Sequence, residues 1–146
     1  MASVLQKLVE TSDKEWYHIV MLIVPYNPQK HKGSLQTILF QNKMNVGLVD
    51  TLPAFGLVAE HQGDVMACGF ARYIEGGYVM FDSYMTDPRA KGYHRNRALD
   101  LITAKLIKLS KDKANLMCIT TEPTIAARAQ KHGFVETTHK VLVKPI

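Results

Sequence analysis

The sequence predicts an α/β (α+β) fold in which one mixed, mostly antiparallel central sheet carries helices on both faces. Three observations point there. The β-rich runs at residues 55–61, 65–74 and 78–86 are separated only by short glycine-bearing turns, the pattern of an antiparallel meander. A long amphipathic segment then joins the third run to a further apolar run at 116–120, the pattern of a parallel crossover. The chain has 146 residues, 47% of them hydrophobic and 21% charged, the composition of an ordinary globular protein. A single domain of that size, here 1–146, buries about 68–70% of its unfolded surface and needs no disulfide or metal staple.

The expected element order is β-α-α-β-β-β-α-β-α-β. Val4-Leu5-Gln6-Lys7-Leu8-Val9 reads as a short first strand. Ser12-Asp13-Lys14-Glu15 has the form of a capping box, in which the Ser12 hydroxyl accepts from the Glu15 N–H and the Glu15 carboxylate reaches back to Ser12 N–H. Trp16, Ile19, Val20 and Ile23 recur at helical spacing, and Pro25 and Pro28 read as the end of that helix. Residues 30–33 read as a basic loop. A second helix over 34–44 puts Leu35, Ile38 and Leu39 on one face and stops by Gly47.

The meander follows, turning at Gln62-Gly63-Asp64 and Glu75-Gly76-Gly77 and ending at Asp87-Pro88. A loop over 89–96 leads into a helix carrying Leu99, Ile102, Leu106 and Leu109 as a stripe, with Lys105, Lys108, Lys111 and Lys113 mostly off it. Leu116-Met117-Cys118-Ile119-Thr120 is a short buried strand, expected to run parallel to the third meander strand. Pro123 starts another helix, Gly133 closes it, and residues 135–143 are expected to form a last strand or hairpin.

Eighteen Lys and Arg against thirteen Asp and Glu leave a net charge of +5, which favours an anionic partner without naming one. The basic residues are dispersed and no aromatic-rich strand accompanies them, so nucleic acid is not the expected partner. Cys68 and Cys118 lie far apart in apolar runs with no CxxC, which excludes a zinc ribbon or redox pair and fits buried thiols in a reducing compartment. The six histidines show no HxH, HxxxH or HExxH spacing, so no metal site is expected. Serine-hydrolase and P-loop motifs are absent. The N-terminus lacks the apolar core of a signal peptide, and residues 19–24 are too short to span a bilayer. The expectation is a cytoplasmic protein with no membrane partner.

The segment 87–96 carries the most chemistry. A strand runs into a helix through a loop holding Arg89, Lys91, Gly92, His94 and Arg95, with Arg97 just beyond. Free N–H groups and partial positive charge at a helix start cradle phosphate, glycine permits close backbone approach, and the basic side chains add charge. From charge alone, a solvated basic loop explains the segment equally well.

Arg89-Ala90-Lys91-Gly92-Tyr93-His94 resembles the acyl-coenzyme A motif R/Q-x-x-G-x-G/A of the GNAT superfamily of N-acetyltransferases. Three further stretches resemble the same family: residues 62–71 its second-to-third strand hairpin, Ser83-Tyr84-Met85-Thr86-Asp87-Pro88 the end of its fourth strand, and 122–134 the helix that ends in Gly-Phe. Each motif alone is weak; together, in order, they cover nearly the whole chain.

The resemblance implies acetyl-CoA or coenzyme A as cofactor, seated where the fourth and fifth strands splay. Its implied contacts are Tyr84, Met85 and Thr86 along the strand, and Arg89, Lys91, Gly92, Tyr93, His94, Arg95 and Asn96 around the pyrophosphate. An amine of a small molecule or protein would attack the thioester directly. The chain departs from the family pattern at His94, where a second glycine is usual, at Ala129, where a tyrosine often serves as acid, and at Glu122, where asparagine often starts the helix. Tyr84, Glu122 and Asp82 are the replacement catalytic candidates: Asp82 and Tyr84 on one strand face, Glu122 at the end of the fifth strand. Each also has a structural explanation, as packing residue, helix cap and strand surface respectively. A water chain is a further route for the amine proton. Two alternatives stand beside the enzyme: a non-catalytic module of the same fold that binds coenzyme A or a protein, and a basic nucleic-acid binder. An edge strand near the C-terminus would support a homodimer.

Overall fold

A computed structural model of the chain describes residues 20–110, 112, 115–120 and 122–145. The strand expected at 4–9, the capping box at 12–15 and the start of the first helix lie outside the described residues.

Strand β1 (Leu22–Pro25) takes the place of the expected helix end. Ile23 pairs with Ala59 and Val24 with Val58 in an antiparallel ladder, and Met21 and Ile23 are buried. Ile23, expected near the end of a helix, is instead the buried residue of a short strand, a setting that suits a β-branched side chain equally well. Helix α1 (Pro28–Gln41) then begins where a stop was expected. Asn27 is its N-cap, accepting from Gln29 N–H at 3.0 Å, and Pro28 sits in the first turn, where its missing N–H costs nothing. The supposed basic loop 30–33 is therefore helical. A 3₁₀ turn (Val46–Thr51) connects α1 to the meander, capped by the Asn45 side chain.

The meander forms as expected: β2 (Phe55–His61), β3 (Asp64–Ile74) and β4 (Tyr78–Thr86). Gly63, Gly76 and Gly77 have positive φ at its turns, the conformation for which glycine is suited. Helix α2 (Gly92–Leu109) crosses to β5 (Asn115–Met117), and α3 (Pro123–Lys131) follows. The sheet order is β1-β2-β3-β4-β5, antiparallel except for β4 and β5, which are parallel.

The sheet is buried on both sides. Leu57, Ala59, Ala71 and Val79 meet Ala98, Leu101, Ile102 and Leu106 of α2 in one core. Val58, Cys68 and Phe70 meet Leu35, Ile38 and Leu39 of α1 in the other. Complete burial of each large apolar side chain contributes about 1.5–3 kcal/mol, so α1 is held chiefly by that stripe of three. The α2 stripe ends at Leu106, since Leu109 is 47% exposed.

The last expected strand does not form: none of the described residues in 135–143 is in a strand, and Val135 and Leu142 are 83% and 91% exposed. The valines at 135, 141 and 143 suit a strand locally, but strand propensity becomes a strand only against a paired neighbour. The C-terminal edge strand expected to support a homodimer is therefore not there to do so. No helix among the described residues is long and apolar enough to cross a membrane.

Candidate functional site

The backbone of β4 and β5 makes the site. Their ladder holds only from Tyr78↔Asn115 to Met80↔Met117. Past that point the rest of β4 and residues 118–120 line the walls of a cleft of about 380 Å³. Leu99 and Thr103 of α2, Ile125, Arg128 and Ala129 of α3, and His132 and Phe134 complete it. That volume is within the ordinary range for small-molecule sites.

A bulge decides which β4 side chains face which way. Cys68 pairs with Met85 and Phe70 with Asp82, leaving one extra residue in β4. Ser83 takes a φ of +56°, left-handed and unfavourable for a residue with a Cβ. Its carbonyl accepts from the Cys68 thiol at 3.6 Å and its hydroxyl donates to Asp82 Oδ1 at 2.9 Å. The extra residue reverses the alternation of faces. Asp82 lies opposite Phe70, on the α1 side, whereas Tyr84 packs into the core on the α2 side. The two do not share a face, contrary to simple two-residue periodicity.

Tyr84 is well seated. A Cβ built on Gly69 would lie 2.9 Å from its Cε1 and Cζ, so the ring rests on glycine. Thr103 Oγ1 donates to its phenol oxygen at 3.0 Å. Burial pushes the phenol up to about 12, with the Thr103 bond acting the other way. Asp82 accepts from Arg72 Nε at 3.0 Å. Glu122 is exposed at the N-cap of α3, makes no capping bond with its side chain, and is not part of the cleft lining.

The loop ahead of α2 is shorter than expected, since the helix begins at Gly92. Arg89 folds back on Asp87, donating from Nε to Oδ1 at 3.0 Å and from Nη2 to Oδ2 at 2.9 Å. The Asp87 carboxyl is lowered chiefly by that contact. The first helical bond runs from Arg95 N–H to Lys91 C=O at 3.0 Å, so the N–H groups of Gly92, Tyr93 and His94 precede the helical ladder. His94 Nε2 and Arg95 Nε are buried without a hydrogen-bond partner. Burial, then the charges of Lys91 and His61, lower the His94 imidazole below its ordinary value. Around Gly92 there is open space, the nearest atom to an added Cβ being Arg95 Nη2 at 3.9 Å.

Asn96 serves structure: its Oδ1 accepts from Arg128 Nη2 at 2.7 Å. Asp100 accepts from Arg128, Lys131 and His132 at 3.1, 2.9 and 3.1 Å, tying α3 to α2. Burial alone would raise its carboxyl, but these donors outweigh it and hold the group below its ordinary value. Thr103, Ser83 and Gly69 were not singled out from sequence. Thr103 falls one turn after Leu99, which is the signal that could have found it.

No family model matches the sequence, and no curated protein matches it. Solved structures do, at the level of fold. A predicted acetyltransferase from Clostridium acetobutylicum with acetyl-CoA is similar at a TM-score of 0.63 and 14% identity, covering 85% of this chain and 96% of that one. A GNAT-family acetyltransferase from Brucella melitensis in complex with acetyl-CoA gives 0.58 and 14%, over 80% and 83%. An aminoglycoside N-acetyltransferase in complex with CoA gives 0.59 and 15%, over 86% and 94%. The chain has the fold of the GNAT acetyltransferases at low sequence identity.

Proposed function

We propose that this protein is a divergent acyltransferase that takes acetyl-CoA as donor and passes the acetyl group to an amine, carried by a small molecule or a protein. The observation that carries the reading is the splayed β4–β5 cleft, whose β4 wall leads within six residues into the start of α2. Beyond Met80 the edge of β4 has left its neighbour, so its backbone groups are available to an amide-bearing arm such as pantetheine, which pairs there as a strand would. Tyr84, Met85 and Thr86 are the residues in reach. The N–H groups of Gly92 and His94 ahead of the helical ladder, with the unpartnered His94 Nε2 and Arg95 Nε, suit a pyrophosphate. Arg89, bound to Asp87, stiffens the loop on this reading and is not a direct phosphate contact.

When bound, acetyl-CoA supplies an acyl thioester whose C–S bond is exchanged for a C–N bond. Tyr84 then acts as a hydrogen-bond donor to the charge that develops at the reacting centre. Full transfer of its proton, from a phenol at about 12 to an ordinary thiolate near ~8.5, would cost roughly 5 kcal/mol, so the proton stays on oxygen. Asp82, held by Arg72 and Ser83, and Glu122, outside the cleft lining, are not used, and the amine proton leaves through water. Removal of one such donor typically costs ~10²–10³-fold in rate. The test is acetyl-CoA consumption against a panel of amines: Tyr84→Phe should lose turnover by that factor and keep coenzyme A affinity. A second reading rests on Ala129, which puts a methyl group on the cleft wall where a proton donor would be in reach. If the parent binds coenzyme A but acetylates no amine, the cleft belongs to a binding module.

A further inference from the structure

We propose that Thr103 is the positioning residue for Tyr84, its hydroxyl occupying the acceptor side of the phenol oxygen and so turning the phenolic hydrogen into the cleft. This rests on the reading of Tyr84 as hydrogen-bond donor. Thr103 is only 5% exposed, and a buried hydroxyl needs a partner. A helical threonine ordinarily bonds the carbonyl one turn back, as Thr37 does to Gly33 O at 3.1 Å. Thr103 instead reaches across to Tyr84 Oη at 3.0 Å.

The arrangement leaves the phenol little freedom. Its ring is wedged between Gly69 and α2, since a Cβ at Gly69 would sit 2.9 Å from both Tyr84 and Ile102 Cγ2. With one lone pair taken by Thr103, the hydroxyl hydrogen points away from α2. Both residues line the cleft, and on this proposal the hydrogen is presented to whatever occupies it. A phenol that accepts one hydrogen bond is also a stronger donor of the next. The titratable groups that act on it are the thiols of Cys118 and Cys68.

Two kinds of measurement test this. Thr103→Val keeps the shape and removes the donor, while Thr103→Ser keeps the hydroxyl. With acetyl-CoA and the best amine of the panel, Thr103→Val should lower turnover about 3- to 10-fold at unchanged coenzyme A affinity, and Thr103→Ser should restore it. In a Tyr84→Phe background Thr103→Val should cost nothing further. Independently of turnover, ¹⁹F NMR of unliganded protein labelled with 3-fluorotyrosine, with Tyr84 assigned by Tyr84→Phe, should show its titration midpoint higher in Thr103→Val and restored in Thr103→Ser. An unmoved midpoint, or equal losses with and without the Tyr84 hydroxyl, would overturn the positioning role. A moved midpoint with full activity in Tyr84→Phe would instead overturn Tyr84 as donor, and the role of Thr103 with it. Thr103→Ala offers the same comparison should Thr103→Val fail to fold.

Discussion

Gly69→Ala probes the site from beneath. The new methyl would stand 2.9 Å from Tyr84 Cε1 and Cζ and from Ile102 Cγ2, whereas carbon atoms rest comfortably at about 3.5–4.0 Å. One side or the other must retreat by roughly 0.6 Å or more. Ile102 is fully buried in the core under α2, so the half-buried Tyr84 ring is the part that yields. Its oxygen then leaves the 3.0 Å contact with Thr103. Overpacking of this kind costs about 1–3 kcal/mol, or about 3–10 °C in Tm for a chain of this size. Misplacing a reacting group by this much should lower turnover about 10- to 100-fold, while calorimetry with coenzyme A shows parental affinity. Gly56→Ala is the control. Its methyl would run into the buried Phe70 ring, on the α1 side of the sheet, so it should destabilise more yet leave the rate per folded molecule unchanged. Parental turnover in Gly69→Ala would refute the placement of Tyr84 in the chemistry.

Glu60 is buried on the α1 side, where His31 Nε2, its hydrogen fixed because Nδ1 accepts from Asn27 N–H, meets it at 2.8 Å, with Lys30 at 3.2 Å. Burial raises the Glu60 carboxyl, but the His31 and Lys30 contacts outweigh it and leave the folded value below the ordinary 4.5. A lowered carboxyl contributes stability above 4.5 that is lost as pH falls through the folded value. The Tm advantage of the parent over Glu60→Gln should therefore be full at neutral pH and shrink on acidification from about 4.5, and a pH-independent difference would count against the pairing. His94 is lowered from 6.5, so it is neutral at pH 7 and gains charge only in mild acid. Coenzyme A affinity measured by calorimetry should tighten as pH falls below 6.5 and lose that dependence in His94→Gly; tighter binding by His94→Gly at every pH would make the side chain an obstruction.

The meander was legible because β-rich runs and glycine turns are local signals, and β2 and β4 end where the sequence indicates. Pro28 was misread because the same residue that stops a helix also suits its first turn, and only Asn27 at the cap distinguishes the two. The bulge at Ser83 carries no local signature, since nothing about a serine announces a left-handed φ. It nonetheless puts Asp82 and Tyr84 on opposite faces of the sheet. The cluster of Arg89, Lys91, His94 and Arg95 around Gly92 could be read from the sequence, though the helix begins at Gly92 and not after the expected loop at 89–96. That Arg89 turns to Asp87 and Asn96 to Arg128 could not, because those pairings depend on where the chain folds back. The valines at 135, 141 and 143 are the reverse case, a strand pattern that pairs with none of the described strands.

The most direct test of the central claim is whether the cleft takes the cofactor at all. Thermal unfolding with and without coenzyme A or acetyl-CoA, backed by calorimetry, answers it. Ligand at about 100 times its Kd should stabilise the protein by about 2.7 kcal/mol. Gly92→Glu should keep the parental Tm without ligand, because an added side chain there meets open space, and should lose the ligand-induced shift through bulk and repulsive charge. A parent that shows neither shift nor heat at millimolar coenzyme A would contradict the account, and so would a folded Gly92→Glu that binds as the parent does.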